Sequence, residues 1–327
     1  MKFVIIGSGN IAKSYVQALK NVAGAEFVGV VSRSGNRPEG TSENIEVAPS
    51  LAAIKTPFDA VIVTTPNGLH HIGIIDAARL GKHVLCEKPL GINIPDMDTA
   101  IRACDENKVK LSVCYQHRTA PDNRIVKELL EQGKLGRVFA CELLVKSYRD
   151  QAYYDSAPYR GNKAIDGGGP FIQQACHHID LYAWFFGRPE KTISMMDTFL
   201  HTMEGEDYGV ALLRHADGMI GSITASTATA PGFPARMMIH SEYGYLTLER
   251  DIITEWQMGD LKNPSLADGK KRHSGFASAV VTDTVGHEAI IADLIEAVVQ
   301  DREPLVSGKA ARVATEIVLD AYSGNAL

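Results

Sequence analysis

The chain lacks the marks of several broad protein classes. Its 327 residues hold five cysteines, Cys86, Cys104, Cys114, Cys141 and Cys176, and no two of them form a C-x-x-C pair. An odd count without such spacing argues against a closed disulfide framework and predicts small buried hydrophobes in a reducing compartment. The histidines and cysteines show no zinc spacing, so no metal is expected. A basic excess is missing too. Net charge is -6 and the lysines and arginines are scattered, which speaks against nucleic acid or an anionic membrane as partner. No apolar run approaches the roughly 20 residues of a spanning helix. Met1-Lys2 ahead of Phe3 to Ile6 is too short for a signal-peptide core of about 7 to 15 residues, so a cytoplasmic location is expected. Internal repeats and low-complexity tracts are absent.

What is present is a large apolar fraction, 45% of the residues. Single cores stop growing at about 250 to 300 residues, so two domains are expected, 1–118 and 119–327, with the terminal helix free to pack back on the first. Residues 1–118 alternate short apolar strands, Phe3 to Ile6, Phe27 to Val31, Ala60 to Thr64, His83 to Cys86 and Lys110 to Val113, with helical patterns. The helical patterns are Leu51 to Lys55, His70 to Leu80 and Ile94 to Glu106. That alternation predicts an α/β, doubly wound parallel sheet, which binds ligands at the carboxyl ends of its strands.

The segments after the strands are therefore the informative ones. Gly7-Ser8-Gly9-Asn10-Ile11-Ala12 is a G-x-G-x-x-A run between a strand and a helix, the context of a dinucleotide fingerprint. Its first glycine permits the turn, the second lets backbone approach a pyrophosphate, and helix N-terminal amides hold the phosphates. Gly7, Gly9, Asn10 and Ile11 are accordingly cofactor candidates. After the second strand, Ser32 stands where an acid would hold both ribose hydroxyls of NAD, and Arg33 and Arg37 follow, so NADP is favoured over NAD. After the next, Thr65, Pro66, Asn67 and His70 can face a nicotinamide ribose, although Asn67 equally suits a helix cap. After the fourth, Glu87-Lys88-Pro89 places an ammonium where it can stabilise alkoxide charge. A surface ion pair is the plain alternative.

Together with Tyr115-Gln116-His117-Arg118, these runs resemble the glucose-fructose oxidoreductase, inositol dehydrogenase and rhizopine-catabolism family, in order and spacing, and the resemblance continues to the C-terminus. It implies an N-terminal Rossmann domain and a C-terminal α+β domain with a large open, mostly antiparallel sheet that carries substrate and mediates homodimer or homotetramer formation. The alternating runs Val138 to Val145, Thr192 to Leu200, Tyr208 to Arg214, Met219 to Thr227, Arg236 to Ser241 and Tyr245 to Glu249 agree with such a sheet. Asp260 to Ser278 is polar, and its role is not readable.

The substrate side is expected in Tyr148 to Asp180. Gly167-Gly168-Gly169-Pro170 frees backbone to approach a ligand and opens a helix running to Phe186, on which Gln173, His177 and Asp180 share a face. The resemblance places the general base at His177, with Lys88 as its partner, and makes Asp180 a residue that binds a sugar hydroxyl or orients the base. Inositol dehydrogenase-like members carry Asp where this chain has Gln173, and an amide cannot raise the imidazole's basicity as a carboxylate does. Gln173 and the Tyr-Tyr-Asp to Arg-Gly segment resemble the nucleotide-sugar and amino-sugar branch. Arg149, Tyr154 and Arg160, with Tyr153, suit a polar or anionic substrate or a subunit contact. His178 is expected to face elsewhere, and Tyr182, Trp184, Phe185 and Phe186 to be core.

These readings imply an NAD(P)-dependent dehydrogenase or reductase acting on the CH-OH group of a sugar, polyol or related carbohydrate. The competing readings are a dihydrodiol- or biliverdin-type reductase on the same scaffold and a silent NAD(P)-binding sensor.

Overall fold

The computed structural model describes residues 1–265 and 283–324. It divides the chain into two compact units, Met1–Gln116 with Ala279–Arg312 and His117–Ser278 with Val313–Leu327.

The first unit is built on six strands: β1 (Lys2–Ile6), β2 (Glu26–Val31), β3 (Glu46–Ala48), β4 (Ala60–Val63), β5 (His83–Cys86) and β6 (Leu111–Val113). They lie in the order β3-β2-β1-β4-β5-β6, and every pair is parallel. Strands covered on both faces must be apolar on both, and Phe3, Val4 and Ile5 are fully buried, as are Ala60 to Val63. Helices α1 (Asn10–Asn21), α2 (His70–Arg79) and α3 (Ile94–Glu106) make the crossovers. The order reverses between β1 and β4, which makes the carboxyl ends of those strands the ligand crevice of a doubly wound sheet. The expected helix Leu51 to Lys55 is a single 3-10 turn, Leu51–Ala53. The Glu46 carboxylate accepts from the amides of Lys55 and Thr56 and draws the chain out of the turn. Strand β3, which sequence reading missed, is a three-residue edge strand.

The second unit holds α4 (Pro121–Glu131), β7 (Val138–Lys146), α5 (Gln151–Asp155), α6 (Pro170–Gln173) and α7 (Cys176–Phe186). Strands β8 (Lys191–Asp197), β9 (Tyr208–Arg214), β10 (Ile220–Ser226), β11 (Arg236–Ser241), β12 (Gly244–Glu249) and β13 (Ile252–Gln257) follow. The seven strands run β13-β12-β11-β7-β10-β9-β8. All neighbours are antiparallel except β7 and β10, which are parallel, so the sheet is mixed rather than wholly antiparallel. Strand β8 ends at Asp197 and not at Leu200. Beyond it the buried Asp207 carboxylate accepts from the amides of Phe199, Leu200 and His201 and bends that segment into a loop.

Helices α6 and α7 pack on the inner face of this sheet, and glycines in the strands seat their aromatics. A Cβ on Gly221 would lie 2.1 Å from the Tyr182 hydroxyl, and one on Gly209 would lie 2.9 Å from the Phe171 ring. Tyr182 and Phe171 are fully buried, and the Tyr182 hydroxyl meets His215 Nε2 at 2.7 Å. Phe185 is also core, whereas Trp184 and Phe186 are half-buried.

Candidate active site

In the first unit, Gly7 ends β1 at φ +113, a conformation that L side chains rarely adopt, and its missing Cβ would lie 2.5 Å from Thr64 Oγ1. Gly9 is the N-cap of α1, and no heavy atom lies within 4 Å of where its Cβ would point. No side chain caps the helix, so its first amides are not taken by a capping group. After β2, Ser32 is buried and its hydroxyl meets that of Ser34 at 3.2 Å, while Arg33 is exposed. Arg37 donates to the carbonyls of Ser42 and Ile45 and so ties its own loop together.

His70 differs from its expected place at the cofactor. It is 1% exposed, and its Nδ1 and Nε2 each lie 2.8 Å from a carbonyl oxygen, those of Pro89 and Thr65. It therefore braces the Thr65 loop against the Lys88 loop. Two acceptors are satisfied in full only by imidazolium, but burial outweighs them and lowers the His70 pKa below its ordinary value.

The Lys88 loop rests on a buried polar cluster. The Lys88–Pro89 bond is cis, and Lys88 is half-buried. Glu87 is buried beneath it, where Oε1 accepts from the Tyr15 hydroxyl at 2.7 Å and Oε2 from the Lys88 amide at 3.2 Å. His287 Nε2 lies 3.8 Å from Oε1, and the His287 ring stands edge-on to Tyr15. This makes Glu87 a support for the loop. Glu87, Cys114 and His287 bring three donor atoms within 4.8 Å of one another, a spacing that a metal can use. Burial pushes the Cys114 thiol well above its ordinary pKa.

In the second unit the expected helix from Pro170 to Phe186 is broken. The Gln174 and Ala175 amides both return to the Pro170 carbonyl, and α7 starts afresh at Cys176. Gln173 and His177 are therefore not one turn apart on a continuous helix. Gln173 Nε2 donates to the Asp166 carbonyl at 2.6 Å. The glycine run also serves a different purpose from the one expected. A Cβ on Gly169 would lie 1.7 Å from the Glu206 carbonyl, and one on Gly168 would lie 2.3 Å from the Tyr322 hydroxyl. Glu206 accepts from the Gly169 and Phe171 amides and from Tyr322, so the glycines admit a buried carboxylate that fixes the start of α6. A cavity of about 530 Å³ lies against this run, bordered by Lys163, Asp197 and Glu204, and none of the expected site residues lines it.

Asp180, expected at the substrate, is fully buried. Both of its oxygens accept from Arg118, at 2.7 and 2.6 Å, and the Arg118 guanidinium stacks 5.4 Å from the Trp184 ring. Burial raises the Asp180 pKa and Arg118 pulls it part of the way back. Tyr154 is likewise buried, its hydroxyl 2.7 Å from Thr227 Oγ1. Arg160 and Arg149 do come together: their guanidiniums lie 4.2 and 5.3 Å from the ring of Tyr153, whose hydroxyl accepts from Gln174.

Two residues that sequence reasoning gave no role, His117 and Asp251, enter the histidine cluster of α7. The His117 ring is 4.9 Å from those of both His177 and His178, so His178 belongs to the same cluster instead of facing away. His117 Nδ1 lies 2.8 Å from Asp251 Oδ1. His117 follows β6 closely in the chain, which is a signal for a functional residue in such a sheet. Asp251 sits in the turn between β12 and β13, and the missing strand β13 hid it.

Comparison with known proteins decides what this architecture belongs to. Residues 1–115 match an oxidoreductase family profile with an NAD-binding Rossmann fold, and residues 123–247 match the GFO/IDH/MocA C-terminal domain. The chain belongs to the GFO/IDH/MocA oxidoreductase family. It is 26% identical over 265 residues to the 1,5-anhydro-D-fructose reductase of Ensifer adhaerens, which covers 78% of this chain and 77% of that protein. It is 25% identical over 281 residues to the inositol 2-dehydrogenase of Rhizobium meliloti, which covers 80% of this chain and 79% of that one. Among solved structures, the WlbA dehydrogenase of Bordetella pertussis, in complex with NADH and UDP-GlcNAcA, superposes with a TM-score of 0.84 at 28% identity. That match covers 99% of this chain and 95% of WlbA.

As a GFO/IDH/MocA protein the chain is an NAD(P)-binding oxidoreductase, and the residues present fit the cofactor. The space beyond Gly9 admits a pyrophosphate against the uncapped start of α1. The buried Thr65 Oγ1, with no partner among the described residues, offers the loop after β4 a free hydroxyl. No helix among the described residues is long and apolar enough to cross a membrane.

Proposed function

We propose that this oxidoreductase interconverts a secondary alcohol and the corresponding ketone on a sugar, polyol or sugar derivative. The bound nicotinamide cofactor supplies the hydride donor or acceptor. In the oxidative direction His177 takes the hydroxyl proton as the C–H bond breaks, while Lys88 polarises the oxygen and steadies its developing charge. The observation that supports this most is the placement of His177 on α7, the helix that also carries the buried partner of Arg118, beside an imidazole held by a carboxylate. Together they give a rigid platform and a titratable face, which acid-base work needs. The fully buried Asp180 acts through Arg118 as part of that platform rather than as a substrate ligand.

Two finer readings follow. The Arg149, Tyr153 and Arg160 grouping favours a sugar that carries an anionic group, because it gathers two guanidinium charges on one aromatic ring. NADP is favoured through Arg33, which is exposed beside Ser32, while Arg37 holds the loop. A second copy of the chain is the partner proposed for the outer face of the second unit's sheet. Ile193, Met195, Leu212 and Ile220 share that face through the register Ile193 to Leu212 and are 46% to 63% exposed.

The test is turnover across a panel of neutral and acidic sugars and nucleotide sugars with NAD and NADP. Lys88→Ala and His177→Ala should each bind cofactor normally and lose at least about a hundredfold in kcat. Unchanged kcat in either variant refutes the mechanism, and cofactor binding without turnover on any carbohydrate favours a sensor.

A further inference from the structure

We propose that Asp251 and His117 form a positioning pair for His177. Asp251 keeps the proton of the histidine cluster on His117, and this leaves His177 neutral and able to accept a hydroxyl proton. The inference rests on His177 being the acid-base group of the proposed reaction.

His117 is fixed at two points. Its ring Nδ1 lies 2.8 Å from Asp251 Oδ1, and its carbonyl accepts from Asn123 Nδ2 at 2.9 Å. The same Asn123 nitrogen donates to Asp251 Oδ1 at 2.9 Å and orients the carboxylate. The His117 ring then meets those of His177 and His178, each at 4.9 Å between centroids. Two positive charges about 5 Å apart, at an effective dielectric near 20, hold their titrations about two pH units apart. The cluster therefore carries one proton at neutral pH, and it belongs on the imidazole that faces a carboxylate. Burial alone would raise the Asp251 pKa, but His117 and Asn123 hold it below its ordinary value, so it is ionised. Burial, then His117, pushes His178 down to about 3. Among the described residues of its own unit, the titratable and charged groups that face His117 include Asp251 on the hairpin, His177, His178 and Asp180 on α7, and Arg118 beside it in the chain. Asp180 and Arg118 neutralise one another.

The backbone that delivers Asp251 points the same way. Glu249 pairs with Ile252, so Arg250 and Asp251 form a two-residue hairpin turn, with φ of 54 and 63. Such turns favour Asn-Gly, and two successive non-glycine residues in the left-handed region are strained. The turn presents a carboxylate to His117 at this position.

The test is ¹⁵N-histidine NMR of the full chain from pH 5 to 9, with ring signals assigned through single His→Gln variants. In the unaltered protein His117 should stay protonated through pH 7 while His177 and His178 stay neutral. Replacing His117 (H117Q) leaves the Asp251 carboxylate without its cation, and the His177 titration should move up by about one unit or more. Asp251→Asn should lower the His117 titration by a similar amount, and H117Q combined with D251N should return His177 close to its starting value. A neutral His117 at pH 7 in the unaltered protein, which needs no variant to fold, overturns the proposal. So does a His177 titration that stays within about 0.3 units in H117Q, where one full unit is about 1.4 kcal/mol. The underlying reading fails separately. Full turnover in His177→Ala refutes His177 as the acid-base group whatever these titrations show, and lost turnover with an unmoved titration refutes only the pair.

Discussion

Replacing Arg118 with methionine removes one partner of a fully desolvated ion pair and leaves Asp180 alone in the core. Arg118 is 3% exposed and Asp180 0%, and the pair is bidentate, so solvent screening gives little relief. Breaking such a pair from one side costs about 3 to 5 kcal/mol, and for a unit of this size that lowers Tm by roughly 6 to 20 °C. The loss has a definite pH dependence. An unfolded aspartate titrates near 3.9, about the usual value. Burial holds the folded Asp180 above that, and without Arg118 it rises further. In the window between those two pKa values the folded state keeps a proton that the unfolded state has released, so stability falls as pH rises through the folded pKa. The deficit of R118M should therefore be smallest near pH 5 and largest near pH 8. Urea unfolding followed by tryptophan fluorescence reads it directly, because both tryptophans, Trp184 and Trp256, lie in the second unit and Trp184 stacks on Arg118. The combined change R118M with D180L should recover most of the loss, since an apolar pair needs no counter-charge. A deficit below about 1 kcal/mol, or one equal at pH 5 and pH 8, would refute the assignment of Arg118 as the ion that holds Asp180 in the core.

The glycine loop should separate strain from ligand contact. Gly7→Ala meets Thr64 Oγ1 at 2.5 Å with φ +113 and should cost about 1 to 3 kcal/mol of stability by thermal unfolding. Gly9→Ala meets nothing within 4 Å and should leave Tm nearly unchanged while weakening NAD(P) binding at least tenfold by fluorescence titration. Equal effects of the two in both assays would contradict the different roles assigned to them. Ser32→Asp should shift the ratio of kcat/KM for NADPH over NADH toward NADH by about tenfold or more, as an acid there binds ribose hydroxyls and repels a 2′-phosphate. No shift would place the ribose elsewhere. Leu212→Lys on the outer sheet face should lower the oligomer mass in light scattering, and an unchanged mass would exclude that face as the interface.

Much of the first unit was legible because its signals are local. A strand buried on both faces must be a short apolar run, and Gly7-Ser8-Gly9 must be small where the turn and a phosphate crowd the backbone. The four family motifs are likewise short runs that a reader of the chain can quote. The second unit was harder to read. Whether the helix from Pro170 was continuous depended on where the Gln174 and Ala175 amides found a carbonyl. Helical spacing by itself could not show the break. The glycine run looked like an opening for ligand, yet the groups that need the space are Glu206 and Tyr322, the first more than thirty residues away in the chain.

Sequence by itself determined the doubly wound sheet, the cofactor loop, the family, and the candidacy of Lys88 and His177, because each is written in neighbouring residues whose backbone geometry or chemistry admits few substitutes. Only the tertiary structure decided that Asp180 serves Arg118, that His70 braces two loops, and that Asp251 holds the His117 that meets His177. These are pairings of polar groups across 62, 19 and 134 residues of chain. No local pattern encodes a partner at that distance; it is chosen when burial makes an unpaired polar group too costly to leave alone.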